Sequence, residues 1–228
     1  MGLRQLAENL WVRDYAFRMM GMSLGRRTTV MRLEDGRLVI HSTAPFSEDD
    51  VKEIRSLGEP AYLVEATRFH DTFAAEGRRA FPEIPYFVPD AARSWAQGGR
   101  NLSDWPADLA WEVEVREIAG MLSVREHLFF HRASGTLILC DLLFNIGPGG
   151  DCWTRIMMGW VNRAYGRPAV SRLYRSTIRD RDAFRHSMRT VLDDWDFRRL
   201  VVGHGTIVET DGKTVLEDAL RRAGLSGD

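Results

Sequence analysis

Cysteine is scarce in this chain. Cys140 and Cys152 are too few for a disulfide framework, and their spacing fits neither a zinc ribbon nor a redox CxxC pair. An excess of charge of either sign is also missing: the formal net charge is -1 and the pI about 6.6, so no global field draws nucleic acid or anionic lipid. No window has the uninterrupted apolar length needed to span a bilayer, and residues 1–11 carry charges where a signal peptide has an unbroken apolar core. A cytoplasmic protein with neither nucleic-acid nor membrane partners is expected. The composition, 44% hydrophobic and 28% charged, excludes disordered and fibrous classes. A chain of 228 residues can bury a sizeable core, and nothing in it forces an internal boundary, so a single domain over residues 1–228 is expected.

Strand patterns alternate with helix patterns. Residues 10–12 read as a short strand, and 28–33 pair with 38–41 across Glu34-Asp35-Gly36-Arg37, whose Asp-Gly suits a hairpin turn. Ser47 precedes an acidic first turn, Glu48-Asp49-Asp50, and Val51, Ile54 and Leu57 recur at helical spacing up to Gly58. A strand at 61–64, a helix at 73–81 stopped by Pro82 and a strand at 86–88 follow. The second half repeats the theme. It has a strand at 111–118, a hairpin of 127–131 with 136–140, a glycine loop at 147–150, helices at 153–165 and 182–195, a strand at 199–202 and a closing helix at 216–225. Two hairpin-led halves suggest internal pseudo-symmetry, and strands followed by helices in both predict α/β layering.

Three apolar runs stop at residues able to hold a metal: 61–64 before His70 and Asp71, 136–140 before Asp141, and 200–203 before His204. A strand buried on both faces reads as a continuous apolar run, and ligands collect where such strands end. The meeting of these three ends is the expected site.

The segment Ser134-Gly135-Thr136-Leu137-Ile138-Leu139-Cys140-Asp141-Leu142-Leu143-Phe144 resembles the hairpin strand that ends in the metal-bridging aspartate of metallo-β-lactamase-fold hydrolases. Leu200-Val201-Val202-Gly203-His204-Gly205 is similar to that family's last ligand strand, which ends in a histidine. The early hairpin, the capped helix and the strand to Glu65 fall in the same order. The resemblance implies an α/β protein with a four-layered αββα sandwich of metallo-β-lactamase type and metals at strand ends along one edge. A small-molecule substrate is then expected, and a homodimer is compatible with the sequence.

The first metal motif departs from the family's Thr-His-x-His-x-Asp-His. Here it reads Glu65-Ala66-Thr67-Arg68-Phe69-His70-Asp71, which replaces the first two histidines by Ala66 and Arg68 and reverses the Asp-His pair. The family's middle histidine has no counterpart between Ala119 and Glu126, where Glu126 is the nearest candidate. All ligands of one ion are therefore missing. For the other, His70, Asp71, Asp141 and His204 supply the side-chain types the resemblance calls for, which predicts one metal rather than two. Two imidazoles with carboxylates suit Zn²⁺, the first choice here, and Fe²⁺ or Mn²⁺ also fit.

The resemblance then implies hydrolysis of an ester, amide, thioester or phosphoester by a metal-activated hydroxide. Asp71 or Asp141 would orient the water or accept its proton, and Arg68 would stabilise substrate anion. The other reading is a non-catalytic binding module that has lost its metal, with Arg68 and Glu126 bridging across the former site. Further residues carry weaker signals. His127 and His131 share one strand face and either flank a site or sit exposed on the hairpin, while His41 suits packing and His186 an exposed helix face. Ser134 near His131 lacks a third orienting residue, which argues against a serine hydrolase. Trp153, Ile156, Met157, Trp160 and Val161 form an apolar stripe able to cover the site edge, pack in the core or pair with a second copy. Arg172, Arg175 and Arg179 recur as on one helix face, solvated or reading phosphate.

Overall fold

The computed structural model describes residues 2–91 and 93–226. The first half supplies strands β1 (Arg4–Ala7), β2 (Leu10–Tyr15), β3 (Arg18–Met19), β4 (Met22–Ser23), β5 (Arg26–Arg32), β6 (Arg37–His41), β7 (Glu59–Val64), β8 (Tyr86–Val88) and β9 (Arg100–Asn101), with helices α1 (Glu48–Leu57) and α2 (Ala74–Ala80). The second half supplies β10 (Val113–Glu117), β11 (His127–His131), β12 (Thr136–Ile138) and β13 (Arg199–Val201), with α3 (Cys152–Arg155), α4 (Arg172–Ser176), α5 (Arg181–Asp194) and α6 (Gly212–Arg222). Among the described residues one sheet runs β1-β2-β5-β6-β7-β8-β9, the other β10-β11-β12-β13, and β3 and β4 form a small hairpin apart.

Strand alternation builds the layers. Leu38 and Ile40 face α1 and α2 together with Ile54, Ala74 and Phe81, whereas Val39 between them faces the second sheet. Likewise Leu128, Phe130, Leu137 and Leu200 pack under α5 and α6 with Phe184, Met188, Leu216 and Leu220, while Phe129, Ile138 and Val201 meet Val39 and Phe87 between the sheets. Helix, sheet, sheet, helix is the αββα order expected. In each half a hairpin precedes a parallel strand, β5-β6 then β7 and β11-β12 then β13, so the pseudo-symmetry holds for that core while the outer strands differ. Ser47 caps α1 as its pattern predicts: its hydroxyl accepts from Asp50 N at 3.2 Å and the Asp50 carboxylate accepts from Ser47 N at 2.9 Å. No helix among the described residues is long and apolar enough to cross a membrane.

Two expectations are corrected. Residues 153–165 do not form one α-helix: α3 passes into a π-helix, Ile156–Val161, which ends where Asn162 Nδ2 donates to Met157 O at 3.2 Å. Thr154 and Met158 face the protein, whereas Trp153, Ile156, Trp160 and Val161 face solvent. The three arginines do not share a helix, because α4 ends at Ser176 and Arg179 N instead donates to Gly120 O.

His127 and His131 are buried rather than exposed. Burial holds the His131 imidazole at about 4, below its ordinary 6.5, with Nδ1 at 2.7 Å from Ser134 Oγ. Between those pH values the unfolded chain binds the proton better, so this contribution to stability is complete above about pH 6.5 and is lost as pH falls through 4. Thermal midpoints measured from pH 8 to pH 4 are expected to drop along that limb, less steeply in His131→Gln; an unaltered acid limb in the variant would contradict the assignment.

Candidate metal centre

The three strand ends meet. His70 follows β7 in an irregular loop, Asp141 follows β12 and His204 follows β13, and parallel pairing of β12 with β13 brings the last two side by side. His70 Nε2 lies 3.3 Å from His204 Nε2 and 3.3 Å from Asp141 Oδ1, and His204 Nε2 lies 3.4 Å from the same oxygen. All three residues are buried.

The far side of each imidazole is engaged. His204 Nδ1 is 2.6 Å from the Gly25 carbonyl, which can only accept, so Nδ1 donates there and Nε2 is the ring atom turned toward Asp141. His70 Nδ1 meets Ser42 Oγ at 3.3 Å, and Ser42 stands at φ +73°, a left-handed backbone that a serine adopts only under constraint. Burial lowers His70 to about 4, against the pull of Asp141, so this ring is neutral near pH 7. Burial alone would raise the Asp141 carboxyl, but His70 and the hydrogen bonds from both imidazoles hold it well below the usual carboxylate range. The result is two imidazole nitrogens and a carboxylate oxygen around one point, with Asp141 Oδ2 buried and without a hydrogen-bond partner. Ligand atoms on a tetrahedral zinc, ~2.0–2.1 Å from the ion, stand about 3.3–3.4 Å apart. The observed triangle has that edge, so the residues fit a divalent ion.

Side chains around the triad fix it in place. Phe144 stacks on His204 at 5.2 Å between ring centres and 10° between planes, and Phe17 stacks at 6.1 Å. Buried Arg26 donates to Thr43 O at 2.6 Å, to both Glu65 oxygens at 3.0 and 3.1 Å and to the His70 carbonyl at 2.9 Å, which ties the His70 loop to β5. Burial pushes Glu65 up to about 7 against the pull of Arg26 and Thr43. Glu126 Oε1 accepts from Cys140 N at 2.8 Å and Asp141 N at 3.2 Å, clamping the backbone of the carboxylate ligand. Gly203 lets the His70 ring approach, since a Cβ there would sit 3.2 Å from His70 Cε1. Gly205 has φ +93° and a Cβ would drive into the Asn145 carbonyl. Gly205→Ala is expected to destabilise the protein by about 1–3 kcal/mol in urea unfolding, and a change below the measurement error would contradict this.

Of the residues singled out by sequence, His70, Asp141 and His204 converge and Asp71 does not. Asp71 opens a 3-10 turn, Asp71–Phe73, with its side chain exposed, because successive side chains in this loop diverge. Arg68 pairs with Asp90 and donates to Leu122 O at 2.7 Å, so no bridge to Glu126 forms. Ala66 is buried where the motif would have a histidine. His41 packs edge-on to Phe129 at 4.9 Å, buried, and His186 is exposed. Arg26, Ser42 and the Gly25 carbonyl carried no sequence signal.

The triad opens into a cavity of about 390 Å³ that Arg68 and Asp71 also line. Solved structures share this architecture: TMB-1 (TM-score 0.66, 16% identity, 98% of this chain and 99% of that one), the metallo-β-lactamase DIM-1 exposed to ceftazidime (0.64, 15%, 98% and 98%) and the metallo-β-lactamase FIM-1 from Pseudomonas aeruginosa in a mono-zinc form (0.64, 9%, 98% and 96%). No protein-family model and no curated protein matches the sequence. These likenesses give the fold: the chain has the metallo-β-lactamase fold over nearly its full length.

Proposed function

We propose that this protein is a hydrolase working with a single divalent metal, zinc by donor type and Fe²⁺ or Mn²⁺ by compatibility, on an ester, amide, thioester or phosphoester of a small molecule. The observation that carries the reading is the triangle of His70 Nε2, His204 Nε2 and Asp141 Oδ1, spaced as ligands are spaced. The mono-zinc form described for FIM-1 supports one-metal occupancy on this fold. An ion held there supplies a Lewis acid for a carbonyl or phosphoryl oxygen and brings the pKa of water down to about 7.

The chain's own residues do the rest. Gly25 and Ser42 hold the two imidazoles in orientation, and Phe17 with Phe144 keep bulk water off His204. Asp141 Oδ2, which has no hydrogen-bond partner, would accept a hydrogen bond from the attacking water, and Asp71 at the exposed rim of the same cavity would offer a route for its proton to solvent. Arg68 has both terminal nitrogens engaged by Asp90 and Leu122 O, which weakens the case for it as an anion stabiliser. The same engagement disfavours the binding-module reading, which had Arg68 and Glu126 bridging across the former site.

Elemental analysis of purified protein and a panel of chromogenic ester, lactam and phosphodiester compounds test the proposal. About one metal per chain is expected, with turnover removed by a chelator and absent in His204→Ala. Equal metal content in the two proteins, or hydrolysis indifferent to chelator, would overturn it.

A further inference from the structure

We infer that the cavity takes an uncharged substrate with an extended apolar group, an acyl chain or aryl ring attached to the bond that is cleaved; this rests on the hydrolase reading above. Six apolar side chains form its wall: Phe17, Met19, Met20, Phe69, Phe144 and Leu173. Four are left largely open to water, Met19 at 40%, Met20 at 78%, Phe69 at 52% and Leu173 at 59% exposure. They come from separate segments, the β3–β4 hairpin, the His70 loop and α4, yet converge on one mouth beside the triad. Large apolar residues exposed singly are ordinary, but exposed together around a concave site they mark where apolar ligand surface is buried.

The hairpin buries Met22 but does not fold over to bury Met19 and Met20. Trp153 Nε1 donates to Met20 O at 3.0 Å, Ser23 N donates to Thr154 Oγ1 at 2.7 Å, and Arg18 reaches Asp151 at 3.3 Å. These bonds hold the hairpin against α3, with the Met19 and Met20 side chains at the rim. A cavity of about 390 Å³ is within the range that encloses small molecules.

Charge decides against an anionic substituent. Arg68 is the one Lys or Arg among the described residues lining the cavity, and it is paired with Asp90; Asp71 and Asp141 are the lining acids. A carboxylate on the far end of a substrate would leave water without gaining a cation and would approach Asp71. An apolar chain gains by leaving water wherever it touches this wall.

The test uses the zinc-loaded full chain and aliphatic hydroxamic acids, which are uncharged in bulk solution at pH 7 and bind metal through one end. Acetohydroxamic, butanohydroxamic, hexanohydroxamic and octanohydroxamic acids are titrated by calorimetry beside suberic acid monohydroxamate, which has the octano length with a terminal carboxylate. Dissociation constants are expected to tighten about two- to fourfold per methylene until the wall is covered. The carboxylate-ended compound is expected to bind at least about tenfold more weakly than octanohydroxamic acid. Phe69→Ser and Leu173→Ser should flatten the gradient, with zinc content retained as the check that the site still forms. A flat series, equal binding of the charged compound, or no binding by any member overturns the inference. Acetohydroxamic acid bound by the intact protein and not by His204→Ala would leave the metal reading standing even if the gradient were absent, so the two failures are distinguishable.

Discussion

Zinc affinity is expected to fall at least about 100-fold in Asp141→Asn, measured by competition with a chromophoric chelator. Asparagine keeps the shape of the side chain and removes the only negative charge among the three converging atoms, so the ion would face two neutral nitrogens and an amide. Loss of a partner behind a ligand typically weakens metal binding 10- to 100-fold, and loss of the ligand charge exceeds that. Ser42→Ala, which removes only the group behind His70 Nδ1, is expected to lose about tenfold. The order is the informative part. Equal affinities in wild type and Asp141→Asn would show that the triad does not hold the ion.

The second large effect lies behind the site. Glu65→Leu is expected to destabilise the protein by about 3–5 kcal/mol in urea unfolding, because it strands the buried Arg26 guanidinium, which cannot shed its charge. Arg26→Met should cost less, since the Glu65 carboxyl, already pushed up to about 7, can take a proton and remain neutral. The double variant Arg26→Met with Glu65→Leu should recover most of the loss, as buried ion pairs replaced whole by apolar groups often do. Equal single effects that simply add would contradict this account of the pair.

Where sequence and structure agree, the agreement has a local cause. The alternation of Leu38, Val39 and Ile40, or of Leu128, Phe129 and Phe130, states which face each residue takes, and the two faces proved to belong to different layers. Asp141 and His204 could be singled out because each ends the apolar run that a buried strand begins, and parallel pairing of β12 and β13 then sets them side by side. Asp71 stands apart from the three converging side chains for the opposite reason. It sits in an irregular loop where neighbouring side chains have no fixed alternation, so sequence could not tell which of His70 and Asp71 turns inward. Arg26 reads as an ordinary strand residue, and its partners at Glu65 and His70 lie 39 and 44 positions away. The Gly25 carbonyl that sets the His204 tautomer is a backbone atom at a separation of 179 and leaves no trace in residue type. A stripe read at 3.6 residues per turn lost its meaning once residues 156–161 opened into a π-helix.

One measurement bears most directly on the centre: anomalous scattering from a crystal soaked in zinc. A single strong peak is predicted, in coordinating contact with His70 Nε2, Asp141 Oδ1 and His204 Nε2, with Asp71 and Arg68 outside its shell. A peak elsewhere, or none at the triad, would contradict the account.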